Sequence, residues 1–253
     1  MKILIIGETC NDEFIYGEVY RVCPEAPVPI LDINQFGSSV LSLGMAANVL
    51  SNLKAIAAKE DEELDFDVIT TNCGLKTRYI DKNSNQILLR VDKPEEATSL
   101  KSAIRDYDFN LYDAVVVSDY NKGMLDDDDL CYIAREAKLS FLDTKKKYSY
   151  LWANEFTFIK INDKEAQENG FFQNWISACA NTIVTKGSKG CLFSNKEYAV
   201  ESPLAVRDVC GAGDTFLAAL AFKYIRSNDI ESSIKYAIDC CSVVVSKKGV
   251  CTI

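Results

Sequence analysis

RDVCGAGDTF, Arg207 to Phe216, is the stretch on which the reading of this chain turns. A Gly-Ala-Gly turn runs straight into Asp214 and then into the apolar segment Thr215–Tyr224, which reads as a helix. Small residues at Gly211, Ala212 and Gly213 let backbone amides approach a ligand closely. At a helix N-terminus those amides are unpaired and carry partial positive charge, which suits an anion. Asp214 would sit beside that anion, where a carboxylate takes the proton of an attacking hydroxyl. A cradle for an anion with a base next to it is what phosphoryl transfer to an alcohol requires. Taken alone, the turn has an equally available structural reading, in which the glycines make a tight bend and Asp214 caps the helix. It is neither a Gly-Lys-Ser/Thr phosphate loop nor a three-glycine dinucleotide fingerprint.

Composition narrows the classes. The 253 residues fit one large domain or a domain with a small appendage, and at 48% hydrophobic they support a substantial core. A net charge of −9 argues against a nucleic-acid partner. No run approaches the roughly 18 apolar residues of a membrane span, so no membrane partner is expected. The opening MKILIIGE reads as a buried first strand rather than a secretory leader. The chain has ten cysteines but no Cys-x-x-Cys, and no histidine at all. Cys/His zinc chemistry and any histidine base are thereby excluded. Cys10, Cys73, Cys131, Cys179, Cys191 and Cys251 read as small buried hydrophobes in a reducing, cytoplasmic setting.

Apolar, β-rich runs occur at 3–6, 67–71, 114–118, 140–142, 156–161 and 182–185. Helix-period segments lie between them at 46–58, 98–107, 126–139, 163–168 and 173–179. The alternation implies a mainly parallel sheet covered by helices, with ligands beyond the carboxyl ends of the strands. Short strands follow at 190–194 and 197–201, then two long helices at 212–226 and 230–247. Two stretches stand apart from that layered core. Residues 14–36 mix β-formers with Pro24, Pro27 and Pro29, and residues 77–91 read as a hairpin turning at Lys82–Asn85. Together they make a small accessory sheet.

Other segments then fall into a pattern. Asp208-Val-Cys-Gly-Ala-Gly-Asp214 resembles the second signature of the ribokinase-like (PfkB) carbohydrate kinases. Ile5-Ile-Gly-Glu8 with Asp12, Arg21-Val-Cys-Pro-Glu-Ala-Pro-Val-Pro29 and Gly44-Met-Ala-Ala-Asn48 resemble the kinase domain of the bacterial heptose kinases. Those enzymes phosphorylate D-glycero-β-D-manno-heptose 7-phosphate at O1. Lys76-Thr-Arg78, Leu89-Arg-Val-Asp92, Ser118-Asp-Tyr-Asn-Lys-Gly123, Leu142-Asp-Thr-Lys145, Asn162-Asp-Lys-Glu165 and Thr185-Lys-Gly187 continue the resemblance in order along the chain.

The resemblance implies an α/β fold: a ribokinase-like three-layer α/β/α sandwich, one kinase domain over 1–253, with a small β-sheet lid from segments 13–37 and 76–92. It implies an ATP-dependent sugar kinase making the 1,7-bisphosphate, with Asp214 as base and Gly211, Ala212 and Gly213 as the anion hole. Asp12, Gly44 and Asn48 would meet the sugar. Arg78, Arg90, Lys122 and Lys145 are candidates for the substrate phosphate, with Lys145 and Arg90 ahead. Asn162 and Glu165 would hold Mg²⁺ through water, and Asn162, Lys186, Gly187 and Asp208 would border the nucleotide. K⁺ is a further candidate ion, and a homodimer through the lid is expected. Plainer readings stand beside these: Asp12 as a turn cap, Asn162 and Glu165 as a capping box, Lys146 and Lys147 as a solvated run. The chain departs from the pattern at Met45, where the family has a second glycine, at Cys210 and at Ile238, and it is short between Asn48 and Lys76. A kinase of another phosphosugar or sugar, or a non-catalytic scaffold, are the alternatives those departures keep open.

Overall fold

Side-chain parity along six parallel strands sets the architecture. The computed structural model describes residues 1–33, 39–169, 180–201, 204–247 and 249–253. Strands β1 (Lys2–Val22), β4 (Asp65–Asp81), β6 (Ala114–Asp119), β7 (Ser140–Thr144), β8 (Phe158–Asn162) and β9 (Thr182–Thr185) are joined by parallel pairing. Successive residues of a strand face opposite sides. Accordingly Ile3, Ile5, Ala114, Val116, Phe141, Phe158 and Ile183 pack into one core cluster, while Leu4, Ile6, Val115, Val117, Leu142, Ile159 and Val184 pack into another. The first cluster is closed by helices α1 (Ala46–Lys59), α4 (Ala212–Ser227) and α5 (Ile230–Val245). The second is closed by α2 (Asp127–Glu136), Ala166 of α3 (Asp163–Glu168), the 3₁₀ turns at Lys101–Asp106 and Phe109–Leu111, and Trp152. Sheet and helices make the expected three layers.

The sheet order is β11-β10-β9-β8-β7-β6-β1-β4-β5, with β5 (Gln86–Pro94), β10 (Cys191–Phe193) and β11 (Lys196–Tyr198) antiparallel at the edges. Strands β2 (Pro29–Asp32) and β3 (Ser39–Met45) pair antiparallel with the outer half of β1.

The outer part differs from the sequence expectation in one respect. It is not a separate sheet. Strand β1 runs on through Gly7 to Val22, and β4 stays beside it from Lys2↔Asp65 to Gly17↔Asp81. On its other side β1 exchanges β6 for β3 between Gly7 and Thr9. The hairpin between β4 and β5 turns at residues 82–85 as expected. Asp81 fixes it, accepting from the Ser84 amide at 2.9 Å and the Ser84 hydroxyl at 2.7 Å. The helix expected over 98–107 is a 3₁₀ turn. The helix expected over 173–179, Cys179 and positions 34–37 lie outside the described residues. Cys10, Cys73 and Cys191 are buried, whereas Cys131 and Cys251 are only half-buried, and none of the described cysteines is in a disulfide. No described helix is long and apolar enough to cross a membrane.

Candidate active site

Parity carried to the strand ends brings the site together. One face of the sheet continues from Phe141 to Asp143, Phe158 to Lys160 and Ile183 to Thr185 towards the carboxyl ends of β7, β8 and β9, and these three residues lie beside the start of α4. Helix α4 begins at Gly211, whose φ of 78° is left-handed and whose position carries no side-chain cap. By contrast α2, α3 and α5 are capped by Asp126, Asn162 and Asp229. The first-turn amides of α4 therefore keep their positive end without a side-chain acceptor. The two glycines of the turn stand close against site side chains. A Cβ on Gly211 would lie 2.6 Å from Asn48 Nδ2, and one on Gly213 would lie 2.8 Å from Lys160 Nζ.

Asp214, 4% exposed, is held from two sides. Asn48 Nδ2 donates to its Oδ2 at 2.9 Å and the Tyr120 hydroxyl donates to its Oδ1 at 3.0 Å. Burial pushes its carboxyl up to about 6, and Asp143 adds to the rise, against the Asn48 and Tyr120 hydrogen bonds and Lys160. A base poised near neutrality in a dry site is suited to taking a proton from an alcohol.

Under the turn lies a buried ion pair that sequence reasoning missed. Lys160 Nζ donates to Asp143 Oδ2 at 2.7 Å, and both residues are 3% exposed. Burial raises Asp143, but Lys160 and Lys145 more than offset it and hold the carboxyl below its ordinary value. Asp143 Oδ1 has no hydrogen-bond partner, with Lys145 Nζ 3.7 Å away. Lys145 in turn pairs with Glu165 Oε1 and lies 5.4 Å from the centroid of the Tyr120 ring. Burial works against the Lys145 charge, yet Asp143 and Glu165 raise its ammonium above the usual value.

The sugar-side candidates also converge. Arg78 Nη1 lies 2.5 Å from Asp12 Oδ1, both buried. Gly44 passes so close that a Cβ there would lie 2.2 Å from Asp12 Oδ2. Asn48 joins this group to the turn, reaching the Gly211 carbonyl at 3.5 Å as well as Asp214. Other candidates are less central. Arg90 lies opposite Arg78 on β5 and is engaged twice by Asp92, at 2.7 and 2.8 Å, in solvent. The Lys122 side chain is exposed.

Next to the turn, a cavity of about 390 Å³ is walled by Thr185, Gly187, Val209, Phe216, Ile238 and Cys241, with Ala212 and Gly213 at its inner end. Its size and apolar walls suit a nucleoside base and sugar. Gly187 lines it. Lys186 pairs with Glu197 at 3.2 Å, outside the lining. Asp208 also stays outside it and staples two loops, accepting from the Cys210 amide at 2.9 Å and the Gly249 amide at 3.1 Å.

Asn162 and Glu165 form a reciprocal capping box, each accepting the other's backbone amide at 2.9 Å. Both Glu165 oxygens are thus engaged, one by that amide and one by Lys145. Among the described residues no three Asp, Glu or Cys side chains converge on a metal position. Such a donor set fits a hydrated Mg²⁺ carried on nucleotide phosphates rather than a metal caged by protein alone.

Met45, the departure from a glycine, keeps a glycine-like backbone, with φ 61° and ψ −133°. Its thioether packs inward on Cys10 and Cys73, with Cys73 Sγ at 3.4 Å, and against Tyr120. Glu8 and Tyr120 are two further residues whose importance only the structure reveals. Both sit in the quoted motifs, and a charged residue in an apolar strand, such as Glu8 or Lys160, is a signal sequence reading can use.

With this geometry in place, comparison with known proteins is decisive. Residues 68–253 match the pfkB family carbohydrate kinase. The chain belongs to that family. It is therefore a phosphotransferase acting on an alcohol group of a carbohydrate, and family membership implies ATP as donor. Among curated relatives, the bifunctional protein HldE of Sulfurimonas denitrificans is 32% identical over all of this chain and 62% of its own length. That of Helicobacter pylori (strain HPAG1) is 31% identical over 98% of the chain and 63% of its own. The kinase thus spans less than two thirds of these relatives. Among solved structures, Thermotoga maritima ribokinase superposes with a TM-score of 0.69 at 15% identity, covering 98% of this chain and 94% of that one. The Methanocaldococcus jannaschii nucleoside kinase, an archaeal member of the ribokinase family, gives 0.65 at 19%, covering 98% and 93%. At such identities the likeness establishes the ribokinase-like fold of this kinase.

Proposed function

We propose that this kinase phosphorylates D-glycero-D-manno-heptose 7-phosphate at O1, forming the 1,7-bisphosphate. The observation that carries the chemistry is Asp214, a buried carboxylate raised to about 6 at the N-terminus of a helix without a side-chain cap. The sugar hydroxyl gives its proton to Asp214 as its oxygen bonds to the terminal phosphorus of ATP, and the bond to ADP breaks. First-turn amides of α4 and the ammoniums of Lys145 and Lys160 lie where negative charge builds on the transferring group. Asp12 and Asn48 orient the sugar, and Gly44 leaves the room it needs. Arg78, Lys145, Lys122 and Arg90 are the cations available for the substrate phosphate. Glu165 and Asn162 are the residues that would hold a hydrated Mg²⁺, which when bound would supply positive charge against the nucleotide phosphates. The nucleotide base occupies the cavity beside Gly187 and Ile238.

The heptose assignment rests on the Arg21–Pro29 run and on the HldE relatives, whose own activities stay theirs until tested here. We further propose that segments 13–37 and 76–92 act as a lid over the sugar within a single kinase domain, that two copies pair through it, and that the protein works in the cytoplasm. Support for the pairing is the exposed apolar set Tyr20, Val40, Leu41, Leu43, Ile87 and Leu89 on the outer strands.

A nucleotide-consumption screen over sugars and phosphosugars, including both anomers of heptose 7-phosphate, tests the assignment. Preferred turnover of the heptose supports it, and preferred turnover of another sugar overturns the substrate while leaving the kinase. In the same assay Asp214→Asn should lower kcat by about 10²–10⁴-fold, and Glu165→Gln should weaken the response to Mg²⁺. ATP binding without turnover of any sugar would point to the scaffold reading.

A further inference from the structure

Tyr120 is the residue in the site whose contacts exceed anything so far assigned to it. Its hydroxyl donates to Asp214 Oδ1 across 94 residues of sequence. The ring lies between two ammoniums, with Lys76 Nζ at 5.6 Å and Lys145 Nζ at 5.4 Å from its centroid. One edge meets the Cys10–Met45–Cys73 cluster. Burial above all, with Asp214 and Asp143 nearby, keeps the phenol well above its ordinary value, so it stays a donor.

The loop that carries it is braced from below. Glu8, wholly buried, accepts from the amides of Tyr120 at 2.7 Å, Lys122 at 2.9 Å and Met124 at 3.3 Å. Asp119 accepts from the Asn121 amide at 2.9 Å and from Thr144 Oγ1 at 2.6 Å. Two buried carboxylates thus hold four backbone amides of the loop, those of Tyr120, Asn121, Lys122 and Met124, around one phenol. Buried carboxylates are costly unless fully engaged, so an arrangement that commits two of them fixes a conformation rather than merely filling space.

We propose that Tyr120 is a positioning residue for the base: its phenol pins one oxygen of Asp214 while Asn48 pins the other, so that the remaining lone pairs face the acceptor hydroxyl, and Glu8 holds the phenol in place. The proposal rests on the reading of Asp214 as base. An ionised carboxylate offers about four acceptor sites, so two fixed donors leave two for substrate while stopping rotation. Turning of the carboxylate away from the attacking oxygen would cost rate even where binding is intact. The other groups facing Asp214 are Lys160 and Asp143 at the ends of β8 and β7, and Lys145 beyond them. None of these donates a hydrogen bond to it.

The test is Tyr120→Phe, which keeps the ring, its packing on Met45 and both lysine contacts. The Asp214 carboxyl is followed by carbon NMR through a pH titration of the ligand-free protein, its resonance assigned by its loss in Asp214→Asn. Loss of a hydrogen bond to a charged acceptor should move its midpoint up by about one pH unit or more. In turnover with ATP and heptose 7-phosphate, kcat should fall about 10- to 100-fold while the KM for ATP stays within about twofold. A midpoint that does not move, or moves down, overturns the proposal, as does an unchanged kcat. Failure of the underlying reading looks different: Asp214→Asn would then keep near-normal turnover, whatever Tyr120→Phe does to the titration.

Discussion

Asp214→Asn should cost the kinase its activity and yet make the folded protein more stable at neutral pH. The carboxyl rises from 3.8 to about 6 on folding. At about 1.36 kcal/mol per pH unit, holding that charge in the folded state costs about 3 kcal/mol. The sign follows from proton binding. Between pH 4 and 6 the folded state binds the proton that the unfolded state has released, so stability falls as pH rises through that window. Above pH 6 the whole cost is present, and below pH 4 none of it is. Asparagine carries no charge and keeps the shape. Its carbonyl accepts from Asn48 Nδ2, and its amide faces the Tyr120 oxygen, which is able to accept. The variant should therefore gain up to about 3 kcal/mol at pH 8, or about 6–12 °C in Tm for a domain of this size. Its advantage should shrink steadily to nothing near pH 4. Thermal or urea unfolding of both proteins at half-unit steps from pH 4 to 8 reads this directly. A difference that does not change with pH, or a variant less stable at pH 8, would refute the reasoning.

Two further expectations concern the outer strands. Met45→Gly relieves a backbone held at φ 61°, a relief of about 1–3 kcal/mol, but removes a buried side chain worth about 2–5 kcal/mol. It should lower Tm by a few degrees and leave the KM for sugar unchanged, because the thioether packs on Cys73; a lower KM would show instead that Met45 restricts the pocket. If the exposed apolar residues of β1, β3 and β5 meet a second copy, sedimentation should give a dimer at micromolar concentration, and Leu41→Lys, at a position 64% exposed, should return it to monomer. A monomeric unmodified protein would remove the lid contact from the account.

The layered core was legible because parallel strands buried on both faces are nearly continuous apolar runs bounded by turn residues. Ala114–Asp119 and Thr182–Thr185 show it. The extent of β1 was not. Between Gly7 and Ile15 the buried positions are Glu8, Cys10, Asp12 and Phe14, and two of those four are carboxylates. An alternation carried by acids reads as a loop until their partners are known. Asp12 is buried because Arg78 arrives from β4, and Glu8 because three loop amides arrive after β6. Neither partner is visible within a window of sequence.

The same limit separates the residues that were found in the site from those that were not. Gly211, Gly213, Asp214, Asn162 and Glu165 act locally: a left-handed turn, a first-turn carboxylate and a capping box are each specified within a few residues. Lys160, Asp143 and Tyr120 act by juxtaposition. Lys160 and Asp143 stand on adjacent parallel strands at paired register positions, Asp143↔Lys160, so the charge that one strand buries is matched only because its neighbour buries the opposite one. With the pair in place, a Cβ at Gly213 would lie 2.8 Å from Lys160 Nζ, so a larger residue there would have to displace the buried ammonium. The conspicuous GAGD turn is thus shaped in part by a lysine 53 positions upstream. Lys160→Met would leave the Asp143 carboxylate buried and unpaired, so it should lower Tm markedly in thermal unfolding as well as activity, and an unchanged Tm would show that the pair does not hold the site together.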